Sequence, residues 1–194
     1  MVAAGRRVAE AEGIGGLTIR RVAAELGATP MALYRHVKDK RELVLALLDD
    51  VADGLPEPPG EGTPQERIVA MFATIDAYLA RHVWVVEILR EGELFSPHAG
   101  TIFPWTLDRF AELGLDDDRG TEAYAILWWY VLGHLSYLPS VAPERRAGRE
   151  DLIRISAERV SADPERLVGA MRAFDHRQSF QAGLRMLVAA LSAR

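Results

Sequence analysis

The sequence contains no cysteine and only two lysines. Without cysteine there is no disulfide framework, no zinc finger, no iron–sulfur cluster and no thiol nucleophile. No apolar run approaches the roughly 20 residues that a membrane-spanning helix needs. Met1–Glu10 carries Arg6 and Arg7 with no apolar stretch after them, so no secretory signal is expected and the cytoplasm is the default location. Strict apolar–polar alternation is missing and β-branched residues do not cluster, which argues against strands. HExxH, Walker A, GxSxG and GxGxxG strings are all absent. The spacing of Glu91, Glu93 and His98 around Pro97 fits a loop better than a metal site. Ser96, Ser136 and Ser140 have no nearby His/Asp arrangement to activate them. These absences together point away from an enzyme, a cofactor or a metal.

Positive charge is also short. The 194 residues hold 23 Lys+Arg against 28 Asp+Glu, a net charge of −5. Taken whole, that balance argues against a nucleic-acid binder. Its distribution reverses the argument. Residues 1–41 hold eight basic side chains against four acidic, a local charge of +4, and the remaining residues carry −9. Both lysines, Lys38 and Lys40, lie in the basic part. The chain is a small basic head on a larger acidic body.

What is present is helical periodicity and helix punctuation, in a composition that is 49% hydrophobic and 26% charged. That composition is globular. The pattern predicts helices over Val2–Glu12, Ile19–Leu26, Pro30–His36 and from about Asp39 to Val51. Further helices are expected over Gln65–Ala80, Val83–Arg90, Thr101–Leu113, Thr121–Leu138 and Glu150–Val160. A last stretch from Pro164 to Ala193 has a break near Asp175. Thr18 and Thr29 are natural N-caps, and Asp39 with Glu42 gives a start resembling a capping box. Gly54–Pro64, with four prolines and three glycines, is the clearest linker.

Leu17–Lys40 (LTIRRVAAELGATPMALYRHVKDK) has the pattern of a helix–turn–helix. Ile19, Val22, Ala23 and Leu26 give the first helix an apolar side. Leu33 and Val37 anchor the second, leaving Pro30, Met31, Tyr34 and Arg35 outward. LTIRRVAAELG, TPMALYRHVKDK and the following ELVLALLDD resemble the N-terminal DNA-binding domain of the TetR family of transcriptional regulators over about residues 2–50. The body resembles that family only in architecture.

The resemblance implies an all-α fold: a three-helix DNA-binding domain over residues 1–47 and a larger ligand-binding and dimerisation domain over 48–194. It implies that Thr29, Pro30, Met31, Ala32 and Arg35 face base edges or the groove wall. Tyr34, His36, Lys38, Lys40 and Thr18 would reach the DNA backbone. Pro30, Met31 and Ala32 are poor hydrogen-bond donors, so direct base readout falls mainly on Arg35 and Thr29. Lys40 opens the long helix, where ammonium and helix amides both suit a phosphate. The implied function is a repressor released from its operator by a small apolar or aromatic effector. An activator of the same fold and a helical protein-interaction module are the alternatives.

The body supplies candidates for effector and partner. All four tryptophans lie within Trp84–Trp129. Met71, Phe72, Ile75, Tyr78, Trp84, Phe95, Phe103, Trp105, Trp128, Trp129, Tyr130 and His134 are candidate lining residues of an aromatic cavity. The Thr121–Leu138 helix is apolar on two faces, so it is buried on both. Pairing it with the last helix predicts a twofold four-helix interface through Thr121, Tyr124, Trp128, Phe180, Leu184, Leu187 and Leu191.

Overall fold

The computed structural model describes residues 1–91, 98–138, 146–159 and 163–193. Among the described residues the regular structure is helical throughout, with no strand. Four helices build the N-terminal part: α1 (Val2–Gly16), α2 (Ile19–Glu25), α3 (Pro30–Leu33) and α4 (Lys40–Ala52). The remainder is α5 (Pro64–Leu79), α6 (Val83–Glu91), a 3-10 turn (His98–Thr101), α7 (Ile102–Glu112) and α8 (Asp117–Tyr137). It continues through α9 (Arg146–Arg159), α10 (Pro164–Ala173) and α11 (His176–Leu191).

The helix boundaries follow local chemistry. Thr18 Oγ1 accepts from Arg21 N at 3.1 Å and starts α2. The α2 helix closes with Ala28 N donating to Ala23 O at 2.9 Å, a turn that needs the left-handed Gly27 (φ 64°). Gly13 was expected to end α1. Instead, its φ of 70° kinks the helix and one further turn runs to Gly16. The start of α5 is a full capping box. Thr63 N donates to Glu66 Oε2 (2.8 Å) while Glu66 N donates to Thr63 Oγ1 (3.2 Å). Those bonds hold the Glu66 carboxyl below its usual range, the backbone amide of Thr63 contributing most. The break expected near Asp175 is present, and Asp175 itself caps α11 by accepting from Gln178 N at 2.9 Å.

One continuous apolar core holds the helices together, running from Ala4 in α1 to Val188 in α11. Leu17, Val22, Leu43 and Leu47 fill the N-terminal part; Ile68, Phe72, Phe110, Leu127, Val131 and Leu184 fill the rest. The α1 helix packs on α2, α4 and α6, α5 packs on α7, α8 and α11, and α9 packs on α10. Tyr78 OH of α5 donates to Val51 O of α4 at 2.7 Å and fastens the two parts; within the N-terminal part, Arg6 of α1 reaches Asp50 of α4 at 3.3 Å. Among the described residues no single helix is long and apolar enough to cross a membrane.

Candidate nucleic-acid interface and aromatic cleft

A helix of four residues such as α3 does not hold its shape alone. Leu33 (3% exposed) and Val37 (4%) nail it to α2 and the core, so its other side is free. Met31 is 71% exposed and Tyr34 47%, with Arg35 and His36 beside them. Pro30 and Ala32 are half-buried. The helix was expected to reach His36. It ends at Leu33 because residues 34–36 tighten into a turn in which His36 N donates to Leu33 O at 2.8 Å. Thr29 stands at the N-cap position but makes no capping bond with its side chain, so its hydroxyl is not committed to the helix. Leu26, expected on the buried side of α2, is 43% exposed because it caps the helix instead of packing under it.

Ion pairing sorts the cations of this region. Arg6 pairs with Glu10 and Asp50, Arg7 with Glu25, and Arg21 with Glu12 and Glu25. Hydrogen bonds from Arg7 and Arg21 hold the Glu25 carboxyl below its usual range. Arg20, Arg35, Lys38, Lys40 and Arg41 have no carboxylate partner among the described residues. They sit at the start of α2, the exit of α3 and the start of α4. Lys40 Nζ donates to Ile14 O at 3.1 Å, a carbonyl in the turn beyond the Gly13 kink. At the start of α4, Asp39 accepts from Glu42 N (2.9 Å), and Glu42 accepts from Lys38 N (2.5 Å) just before the helix, so carboxylates share that end with the cations.

The body holds an aromatic cleft of about 360 Å³ between α8 and α11. Tyr130 and His134, one turn apart on α8, both stack on Phe180, with centroids at 5.0 and 4.3 Å. Tyr130 OH donates to Phe180 O at 3.2 Å and rests where Gly183 has no side chain, so only glycine fits there. His134 Nδ1 is 2.7 Å from Asp76 Oδ1. The acceptor there is a carboxylate oxygen, so Nδ1 carries the proton. Nε2 of the same ring is buried and has no partner among the described residues. Trp129, Gly133, Tyr137, Phe174, His176 and Ser179 complete the lining. Burial, and then the Asp76 charge, push the Tyr130 hydroxyl pKa up.

The expected effector residues divide. Trp129, Tyr130 and His134 line this cleft; the other expected residues that are described, Tyr78 among them, do not. Met71, Phe72, Ile75 and Trp84 are core residues, 4% exposed or less. Phe103 packs edge-on against Tyr124, Trp105 lies under Arg109, and Trp128 packs half-buried against the core. Phe95 and Glu93 lie outside the described residues, as do the side chains of Glu91 and His98. Among the described residues no group of three His, Asp or Glu side chains is placed to hold a metal. The expected partner interface needs correction. Phe180 (3%) and Leu184 (0%) are buried within the protomer, and Tyr124 packs against Phe72 and Phe103, so none of the three presents a contact surface. Leu187, Leu191 and Trp128 lean on the same core, and Thr121 is exposed. The outward face of these helices carries Trp129 (68%), Ala182, Met186 (72%) and Ala190 instead.

Asp76 was not anticipated. Asp76 was detectable: a carboxylate among Phe72, Ile75 and Leu79 on the apolar side of a helix signals a buried partner.

Comparison with known proteins covers the whole length. The family model described as bacterial regulatory proteins, tetR family, matches residues 1–47, and that of the tetracyclin repressor-like C-terminal domain matches 55–194. The HTH-type transcriptional repressor DrrR1 of Streptomyces coeruleorubidus is 34% identical over 154 residues, or 78% of this chain, and the match spans 57% of that repressor's length. Streptomyces coelicolor ActR in complex with actinorhodin superposes with a TM-score of 0.80 at 23% identity, covering 98% of this chain and 92% of ActR. BioQ with its natural double-stranded DNA operator gives 0.69 at 23% identity, covering 100% and 96%. At these identities the two structures speak to the fold.

Proposed function

The chain belongs to the TetR family of bacterial regulatory proteins, and on that premise we propose that it is a homodimeric, operator-binding repressor released by a small aromatic effector. Residues 1–47 are the DNA-binding unit and 48–194 the effector and dimer unit. The family boundaries at 47 and 55 and the change in charge sign support that division. The observation that carries the DNA reading is the α3 surface: Met31, Tyr34 and Arg35 project from a pinned helix, ringed by Arg20, Lys38, Lys40 and Arg41. Arg35 reads guanine edges, Thr29 offers a hydroxyl, and Met31 meets thymine methyls. Tyr34, His36, Lys38, Lys40 and Thr18 hold the backbone. DNA as partner supports a cytoplasmic location. The body's fit to an aromatic ligand and the absence of catalytic motifs favour a regulator over an enzyme. The repressor name of DrrR1 supports repression, and the complexes of BioQ and ActR support operator and effector as partners.

Dimerisation uses the outward face of α8 and α11, through Trp129, Ala182, Met186 and Ala190. Small residues there allow close helix approach. Twofold pairing sets the α3 helices about 34–36 Å apart for successive major grooves. The α5 helix links cleft to DNA. Its last turns carry Asp76, bonded to His134, and Tyr78, bonded to Val51 at the end of α4. An effector that shifts α8 against α5 moves Tyr78 and thus α4, and favours a spacing that no longer fits the operator. A gel shift with DNA upstream of its own gene tests the reading. Retardation that is lost in a Tyr34→Ala/Arg35→Ala double variant is expected, and equal retardation by both proteins refutes it.

A further inference from the structure

We propose that the α8–α11 cleft selects a neutral, flat aromatic molecule bearing a free hydroxyl, which donates its hydrogen bond to Nε2 of His134. The inference rests on the effector reading above and adds the chemistry of the effector. Asp76 is 7% exposed and accepts the Nδ1 proton of His134 at 2.7 Å. That bond fixes the tautomer of the neutral ring, in which Nε2 presents a lone pair. Nε2 is closed off from solvent and unmatched among the described residues. A buried acceptor without a partner is costly, and a ligand that supplies the missing donor relieves that cost.

The ring geometry narrows the donor further. His134 and Tyr130 lie nearly parallel to Phe180, at 17° and 7°. The Nε2 lone pair points along the imidazole plane, so its donor must arrive in that plane. A hydroxyl on a flat ring carries its O–H in the ring plane, and a ring lying parallel to the stack brings it there. Tyr137 and Phe174 are 49% and 52% exposed and give apolar walls that can move aside, while Trp129 borders the cleft from the proposed dimer face. The cleft, about 360 Å³, falls at the small end of ligand sites. An ammonium donor would also bond Nε2, but it would have to shed its hydration in a site with no solvent contact at that atom.

The test uses the intact protein and three bicyclic probes: 2-naphthol, its methyl ether 2-methoxynaphthalene, and 2-naphthylmethylammonium. Calorimetry is expected to give 2-naphthol a Kd about tenfold or more below that of either other probe, the gain from satisfying one buried acceptor. The preference should vanish in His134→Leu and survive in part in His134→Gln. Gly133→Leu, whose added side chain grows into open space, should weaken all binding. If His134→Leu fails to fold, the imidazole ¹⁵N spectrum of the wild type decides. Nε2 should shift with 2-naphthol and not with the ether. Equal affinities, tighter binding of the ammonium, no binding at all, or a preference that persists in a folded His134→Leu each overturn the proposal. Operator release is measured in parallel. Release by both neutral probes without preference leaves the effector reading standing and removes the hydroxyl. Selective binding without release does the opposite.

Discussion

Arg35 is the one charged side chain that α3's exit offers to base edges, and no carboxylate competes for it among the described residues. Arg35→Ala should cost about 1–3 kcal/mol of operator affinity and relax specificity at one base pair, measured by competition with single-base operator variants. Lys38→Ala or Arg41→Ala should weaken binding to all sequences alike and reduce the salt slope by about one. A His82 substitution should act on stability instead. His82 is 6% exposed just past the end of α5, its ring against Tyr78, and Nδ1 has no partner among the described residues. Burial lowers its pKa from the ordinary imidazole range, helped by Arg6 and Arg81 and opposed by Glu10 and Asp50. The unfolded chain therefore takes up a proton near pH 6.5, before the folded chain does. Stability is full above that pH, falls as pH drops through the window between the two pKa values, and then levels. Urea midpoints at pH 7.5 and 5.5 should show this drop in the wild type and less of it in His82→Phe. Equal drops would exclude His82 as the source.

At the scale of elements, α11 separates two roles that its sequence mixes. Phe180, Leu184 and Val188 face the core, while Ala182, Met186 and Ala190 face out. Leu184→Ala should cost about 2–5 kcal/mol of stability by leaving a cavity. Met186→Glu should leave folding within about 0.5 kcal/mol of wild type and shift sedimentation from dimer to monomer. A dimer undisturbed by Met186→Glu would move the interface elsewhere.

The periodicity gave the helices and their order because helix caps and apolar stripes are local. Thr18, Asp39 and Gly27 each signal a boundary within four residues. It did not give which apolar face meets the core. Both sides of α8 read as apolar, and only the packing of α5, α6, α7 and α11 decides that Tyr124 and Leu127 turn inward and Trp129 outward. Arg6, Arg7 and Arg21 likewise counted toward a basic head until their pairing with Glu10, Glu25 and Glu12 placed them apart from Arg35 and the lysines. The His134–Asp76 bond joins residues 58 positions apart, beyond any local pattern.

For the whole molecule, the question is how a ligand between α8 and α11 is felt at α3. The head and body share one core, so a shift of α5 has to pass into α4 or open a gap. Asp76 and Tyr78 lie two residues apart on α5, one tied to the cleft through His134 and the other to the Val51 carbonyl. Tyr78 OH is the only hydrogen-bonding atom of that pair that a single substitution can remove while keeping the ring against His82. Tyr78→Phe leaves Val51 O short of a donor, a loss of about 1 kcal/mol. If the bond transmits the effector signal, Tyr78→Phe should keep effector affinity near wild type in the absence of DNA. The factor by which effector weakens operator binding should shrink. Linkage requires the reciprocal change: DNA should then weaken effector binding by the same smaller factor. Measuring both titrations closes the cycle. A coupling factor unchanged in Tyr78→Phe would show that α4 is moved through the apolar packing of α1 on α6 and not through this bond.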